Sequence, residues 1–263
     1  MTDKQILVLG GTGKTGRRIV SRLRDLGHPV RAASRNGETR FDWDDPGTWP
    51  AALDGVSALY LMAPPLSADP TEEIDRLLRG FTGRVVLLSA RGMAWHPAED
   101  AVRNRAREWT ILRPTWFAQN FSEDLFAPGV EAGEIALPTR EGREPFIDAE
   151  DIADVAVAAL TADGHDGQTY DLSGPEAISM RTAVEMIAEA TGKPIRYLHI
   201  ELADFREQLI GHGFPGELAT VLTATLEDIA EGRSEYISDG VKRALGREPR
   251  SFADYVAATW PSR

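Results

Sequence analysis

Short unbroken apolar runs alternate with amphipathic stretches along the first 114 residues. "ILVL" (6–9), "PVRAAS" (29–34), "ALYLM" (58–62), "VVLLS" (85–89) and "TILR" (110–113) read as strands, at intervals that hold a helix or a crossover. A doubly wound parallel sheet needs this pattern, because its strands are buried on both faces. After the first run, Ile19, Val20, Leu23 and Leu26 form one helical stripe, with Gly27 as its stop. The rhythm changes after Pro114. "DIADVAVAAL" (151–160) predicts a strong helix, "QTYDL" (168–172) a last strand, and "SGPEAIS" (173–179) a turn into another helix. From Arg181 onward "TAVEMIAEATG", "LADFREQLIGHGF" and "ELATVLTATLEDIAEG" are helical. The organisation expected is a nucleotide-binding α/β domain over 1–172, with 114–150 contributing to its pocket. A smaller, mainly helical part over 173–263 would pack on the carboxyl edge of the sheet, where ligands bind in such folds.

Composition narrows the function classes. None of the 263 residues is cysteine, which removes disulfides, thiolate nucleophiles and Cys-rich metal sites. No apolar run approaches the roughly 20 residues that span a bilayer. The first strand begins at Gln5, too early for a secretory signal, so a cytoplasmic chain without membrane attachment is expected. The formal net charge of −12 argues against a nucleic-acid surface, which relies on clustered Lys and Arg. Here the arginines are interleaved with acids and other residues, as in "DRLLRGFTGR". A small-molecule partner follows, with the protein a monomer or homodimer. The five histidines include no i, i+4 pair, so no metal site is expected.

Two nucleotide signatures overlap in "ILVLGGTGKTGRRIV" (6–20). Gly13-Lys14-Thr15 resembles the end of a P-loop, but the first glycine of that pattern would fall at Val8, inside the strand. No later apolar strand ends in the aspartate that would hold magnesium. The dinucleotide fingerprint has the right context of strand, glycines and amphipathic helix. Gly10 or Gly11 allows the tight turn, Gly13 lets a pyrophosphate approach the backbone, and Gly16 lets the helix pack on the strand. The segment Gly10, Thr12, Gly13, Lys14, Thr15 and Gly16 is therefore the expected phosphate cradle of a Rossmann-type domain, at a helix N-terminus. An NAD site puts an acid near the end of the second strand, to bind the ribose 2′-hydroxyl. Here that place holds Ser34 and Arg35, and Arg35 can stack on adenine and pair with a 2′-phosphate, with Lys14 close by. NADP(H) is the expected cofactor.

At this point the chain resembles the NmrA-like, atypical short-chain dehydrogenase/reductase family. The resemblance rests on "LVLGGTGKTGRRIV", "WTILRPTWFAQNF" (109–121), "FIDAEDIADVA" (146–156) and "YDLSGPEAIS" (170–179). Within that family it is most similar to the ergot-alkaloid type reductases, the agroclavine and festuclavine dehydrogenases, through "RFDWDDPGTW" (40–49), "LYLMAPP" (59–65), "RPTWFAQNFSE" (113–123) and "GREPRSFADYV" (246–256). The resemblance implies that Asp42 and Trp43 lie near the adenine and that Met62, Ala63, Pro64 and Pro65 pass the nicotinamide-side ribose. It also implies that Ser89, Ala90, Pro114 and Thr115 line the nicotinamide pocket, while Arg91, Trp116, Phe117 and Asn120 meet the substrate.

Most short-chain dehydrogenases protonate a developing alkoxide with Tyr-x-x-x-Lys. The residues four places after Tyr60, Tyr170, Tyr197, Tyr236 and Tyr255 are Pro64, Gly174, Glu201, Gly240 and Thr259, so the motif is missing. Ketone reduction needs a proton as well as a hydride. One reading is therefore a substrate that needs only hydride at the chemical step, such as a cyclic imine or iminium ion, and the family also contains quinone and enone reducers. The alternative is a dinucleotide-binding redox sensor that performs no chemistry. Further polar residues carry open readings. His28 reads as a loop residue and Trp109 as core. His96 and Glu99 read as helix-capping groups or as an acid, and Asp148 and Asp151 as caps of the following helix. Trp116 and Phe117 suit either core packing or a pocket wall.

Overall fold

The computed structural model describes residues 5–64, 67, 69–92 and 96–261. In chain order the elements open with β1 (Gln5–Leu9), α1 (Lys14–Asp25), β2 (Val30–Ser34), β3 (Thr39–Arg40), α2 (Trp49–Leu53) and β4 (Val56–Met62). There follow α3 (Thr71–Leu77), β5 (Arg84–Leu88), α4 (His96–Arg105), β6 (Glu108–Pro114), α5 (Asn120–Glu123) and α6 (Ala127–Ala132). Next come β7 (Glu134–Leu137), β8 (Arg143–Glu144), α7 (Ala149–Thr161), β9 (Gln168–Leu172), β10 (Ile178–Ser179) and α8 (Met180–Thr191). The chain ends with β11 (Arg196–His199), α9 (Leu202–Gly211), α10 (Gly216–Ala230), α11 (Gly240–Leu245) and α12 (Phe252–Thr259). No helix among the described residues is long and apolar enough to cross a membrane.

These elements form two compact units. The first takes the chain up to Pro114, then Ala149–Leu172 and Asp239–Arg247. The second takes Thr115–Asp148, Ser173–Ser238 and Glu248 onward. The division is interleaved, unlike the single cut at 172–173 that the pattern suggested. Residues 115–148 group with the C-terminal half, and α11 groups with the sheet.

The first unit is built on a seven-stranded sheet of order β3-β2-β1-β4-β5-β6-β9, with each neighbouring pair parallel. All five apolar runs and "QTYDL" are strands of it. Side chains alternate across a strand, so Leu7, Leu9, Leu59, Leu61, Val85, Leu87 and Ile111 fill one face. There they pack with Ile74, Leu77, Ala98 and Val102 of α3 and α4. Tyr60 points to the opposite face, where its buried hydroxyl donates to Thr15 Oγ1 of α1 at 3.0 Å. In α1 the stripe of Ile19, Val20 and Leu23 is buried as expected. Leu26 is not part of it: the helix ends at Asp25, and Leu26 caps it 63% exposed.

Charge joins α1 to α7. Arg18 Nε donates to Glu150 Oε1 at 2.6 Å, Arg22 pairs with both Glu150 and Asp154, and Arg247 reaches Asp151 and Asp154 at 2.7 and 2.5 Å. Asp151 thus lies in the first turn of α7 as an ion-pair partner, while Asp148 immediately precedes the helix and accepts from Gln119 Nε2 at 2.7 Å. Burial works to raise the pKa of Glu150, but hydrogen bonds and charge from Arg22 and Arg18 outweigh it and hold it below the ordinary carboxylate range.

The second unit has an aromatic centre in which Phe121, Phe126, Phe146, Phe252 and Tyr255 touch at centroid distances of 5.1 to 5.5 Å. Two small sheets, β10-β8 antiparallel and β11-β7 parallel, complete it. The region after Arg181 is mainly helical as expected, with β11 the exception.

Two outcomes follow. A Cβ added at Gly16 would stand 2.1 Å from the Gly10 carbonyl oxygen. Gly16→Ala therefore forces α1 off β1 and costs about 2–4 kcal/mol in chemical denaturation; a loss under about 0.5 kcal/mol contradicts this packing. Because the folded pKa of Glu150 is lowered, its pairs stabilise the protein above the unfolded carboxyl value of about 4.3. That contribution is lost as pH falls through the folded value. Glu150 is partly solvated, so Glu150→Gln costs about 1 kcal/mol or less at pH 7. The difference from wild type shrinks as pH drops below about 4, and a gap that is constant with pH refutes the assignment.

Candidate nucleotide-binding site

Because the seven strands are parallel, their carboxyl ends share one edge of the sheet. Gly10 follows β1, Arg35 follows β2, Asp42 and Trp43 lie just beyond β3, Ala63 and Pro64 follow β4, and Ser89 and Ala90 follow β5. Pro114 ends β6. Strand order reverses between β1 and β4, and at such a switch point the connections diverge and leave a crevice. The sequence thus placed these residues on one edge of one unit. Pro65 lies outside the described residues, as does the side chain of His96.

The turn after β1 is shaped by exclusion. Gly10 adopts φ +63°, and its carbonyl accepts the Gly13 N–H at 2.8 Å. A Cβ on Gly10 would meet Met62 Sδ at 2.8 Å, and one on Gly11 would meet Ala32 Cα at 2.8 Å. Among the described residues, the near neighbour of a Cβ at Gly13 is the Gly10 oxygen, at 3.2 Å. Gly13 caps α1 with no side-chain hydrogen bond, and the first turn of the helix carries no acid. Its peptide N–H groups and dipole are left to an anion. Thr12 is exposed, Lys14 half-buried and Thr15 buried. The buried position of Val8 within β1 agrees with the rejection of a P-loop.

Beyond β2, Ser34 accepts the Gly37 and Phe41 N–H groups through its carbonyl, at 3.3 and 3.1 Å. This turns the chain and leaves Arg35 exposed, with no ion pair among the described residues. Asp42 and Trp43 belong to a compact knot. The Trp49 indole N–H donates to the Asp42 carbonyl at 2.7 Å, and Phe41, Trp43 and Trp49 pack ring against ring.

At the β5 end, Ser89 Oγ donates to Glu99 Oε1 at 2.7 Å. Arg113 grips the same carboxylate with Nε at 2.7 Å and Nη2 at 2.5 Å, and Arg103 adds a bond of 2.9 Å. Glu99 is 1% exposed. Burial pushes its pKa up, but hydrogen bonds from Arg113 and Ser89 and the charges of both arginines bring the balance below the ordinary range. It is an ionised anchor near the start of α4 with no proton to give at neutral pH, which removes its reading as an acid. Sequence reasoning passed over this clamp. Its signal was Arg113 itself, a charge in the otherwise apolar strand "TILRP", which burial obliges to find a partner.

In the second unit, Thr115 Oγ1 donates to the Pro145 carbonyl at 2.7 Å. Trp116 is half-buried and stacks on Phe126 at 5.6 Å, and Phe117 is half-buried beside Ile147. Asn120 is buried at the start of α5. In the first unit, the Arg91 N–H donates to the Pro114 carbonyl at 3.0 Å. Trp109 lies half-buried within β6 against the core, under Arg103. Tyrosine hydroxyls are spoken for as well. Tyr60, Tyr197 and Tyr255 bond Thr15, Thr139 and Ser122, and burial raises the pKa of each.

Comparison with known proteins agrees with this architecture. The uncharacterized oxidoreductase YesF of Bacillus subtilis is 35% identical over 274 residues, covering 98% of this chain and 96% of the relative. Festuclavine dehydrogenase easG of Aspergillus fumigatus is 32% identical over 281 residues, covering 95% and 96%. Among solved structures, the NADPH-dependent quinone oxidoreductase QOR2 of Escherichia coli superposes with a TM-score of 0.77 at 22% identity, over 97% of this chain and 99% of that one. The model of the NmrA-like family matches residues 96–256. With a doubly wound parallel sheet, a glycine cradle at its first turn and full-length relatives of this kind, the chain belongs to the NmrA-like family.

Proposed function

We propose that the protein is an NADP(H)-dependent reductase that passes hydride to a small cyclic imine or iminium, or to a conjugated carbonyl such as a quinone or enone. The observation that carries this reading is the β1–α1 turn. Gly10, Gly11 and Gly16 make room where an added Cβ would stand within 3.0 Å of another atom, and the helix N-terminus behind them has no side-chain cap. A pyrophosphate suits that place by charge and by hydrogen bonding. Arg35, exposed at the end of β2 where an NAD site would carry an acid, supports a 2′-phosphate, and Lys14 stands in the first turn of α1.

When bound, the nicotinamide supplies the hydride. The chain's own residues bind and orient. Gly10, Thr12, Gly13, Thr15 and Gly16 take the pyrophosphate side, and Ser34, Arg35, Asp42 and Trp43 the adenosine side. Met62, Ala63, Pro64, Ser89, Ala90, Pro114 and Thr115 take the nicotinamide side, and Pro65 is assigned there with them. Arg91, Trp116, Phe117 and Asn120 meet the substrate. Alignment of hydride donor and electrophile supplies the rate. Hydride addition to an iminium ion ends in a neutral amine with no alkoxide to protonate, which fits the missing Tyr-x-x-x-Lys; a neutral imine, a quinone or an enone would take its proton from water. The names of the festuclavine dehydrogenase and of the quinone oxidoreductase point to the two substrate classes proposed.

In equilibrium titrations wild type favours NADPH over NADH, and Arg35→Ala lowers that preference about ten-fold, the size of a charge-assisted hydrogen bond. An unchanged preference removes Arg35 from the cofactor site. Loss of NADPH absorbance with a panel of cyclic imines, quinones and enones identifies the acceptor class. Tight binding of NADPH with no turnover of any member would make the protein a dinucleotide sensor instead.

A further inference from the structure

The clamp at the end of β5 does more than brace α4. We propose that Ser89 is the hydrogen-bond acceptor that reads the carboxamide N–H of the nicotinamide, and that Glu99, gripped by Arg113 and Arg103, is the positioning residue that makes it an acceptor. The proposal rests on the dinucleotide reading above and adds a polarity to one atom of the site.

The polarity follows from hydrogen counting. An ionised carboxylate only accepts, and a serine hydroxyl has one hydrogen and two lone-pair sites. Glu99 Oε1 lies 2.7 Å from Ser89 Oγ, and both carboxylate oxygens are held in place by guanidinium groups. The single hydrogen of Ser89 is therefore committed to Glu99. With that hydrogen committed, Ser89 Oγ has lone pairs left to offer, so a ligand group that reaches it must bring its own N–H or O–H. A neutral, protonated Glu99 would undo this, because its own O–H could then donate to Ser89; two arginines on one buried carboxylate prevent it.

Position names the donor. Ser89 directly follows β5 at the carboxyl edge, and its own N–H is fixed to the Leu112 carbonyl of β6 at 2.8 Å. From β1 the sheet runs one way to β2 and Arg35, and the other way through β4 to β5, two strand spacings or about 9.5 Å away. A dinucleotide with its pyrophosphate at the β1–α1 turn and its 2′-phosphate toward Arg35 puts the nicotinamide half over β4 and β5. On that half the carboxamide is the N–H donor, and the ribose hydroxyls are the competing O–H donors. An acceptor at a fixed place holds the carboxamide, and with it the face of the ring that is presented. The same commitment withholds the Ser89 proton from substrate, in keeping with hydride transfer to an iminium ion, the member of the proposed class that needs no proton.

The test is equilibrium binding, read from cofactor fluorescence, of NADPH and of its analogue with an acetyl group in place of the carboxamide. Wild type should bind NADPH about five-fold more tightly than the analogue, the scale of one ordinary hydrogen bond. Ser89→Ala should weaken NADPH about five-fold and leave the analogue within two-fold. Glu99→Gln, which replaces one acceptor oxygen by an N–H donor, should also erase the preference, with unfolding midpoints confirming that both variants are folded. Equal affinity of wild type for the two cofactors overturns the proposal without recourse to any variant. Equal weakening of both cofactors in Ser89→Ala also overturns it, since the bond would then go to a ribose hydroxyl. If wild type binds no NADPH at all, the dinucleotide reading itself fails, a result distinct from either of these.

Discussion

Helix α1 lies so close to the turn after β1 that the carbonyl of Gly10 occupies the place a side chain on Gly16 would need. The rest of the first unit depends on that contact. It brings the N-terminus of the helix to the carboxyl edge of the sheet, with peptide N–H groups facing outward and no side chain to cap them. It lets Thr15 meet the Tyr60 hydroxyl inside the fold, tying α1 to β4 across the strand-order reversal. It also sets α1 where Arg18 and Arg22 reach Glu150 and Asp154 on α7. A side chain at position 16 would separate these parts, because close-packed interiors transmit a displacement of this size instead of absorbing it.

Charge is used in two ways in the first unit. The α1–α7 pairs are partly solvated, so screening limits what they add to stability, and their value lies in fixing which helix faces meet. The Glu99 cluster is different, because its carboxylate is almost completely out of water and survives only through four hydrogen bonds. Its carboxylate state decides which way the Ser89 hydroxyl points. A buried charge thereby sets the polarity of one atom at the carboxyl edge of the sheet.

The second unit shows why aromatic residues after a sheet strand are hard to assign from their letters. Trp116 and Phe117 stand side by side in the sequence. Trp116 stacks on Phe126 at the margin of an aromatic core, while the backbone of Phe117 forms a parallel β-bridge with Ile147. Both remain half-buried. Core and wall are not exclusive roles for a large ring, since one face can pack while an edge stays accessible.

Much of the first unit was legible in the sequence for a plain reason. A parallel strand covered on both faces must be apolar throughout, so "ILVL", "ALYLM", "VVLLS" and "TILR" announced themselves, and Gly10, Gly13 and Gly16 had steric reasons that do not depend on distant partners. Short strands such as β3, β8 and β10, two residues each, left no periodic trace. Leu26 suited the α1 stripe by spacing, yet the helix stopped one residue before it. The sequence by itself determined the parallel sheet, the glycine turn and the lack of a Tyr-x-x-x-Lys acid, because each is a local or short-range property. Only the tertiary structure decided that 115–148 and 239–247 change places between units, and that Arg113 and Arg103 converge on Glu99 beneath Ser89. Those outcomes are set by which buried charges and apolar faces find partners far along the chain, and spacing alone carries no record of that.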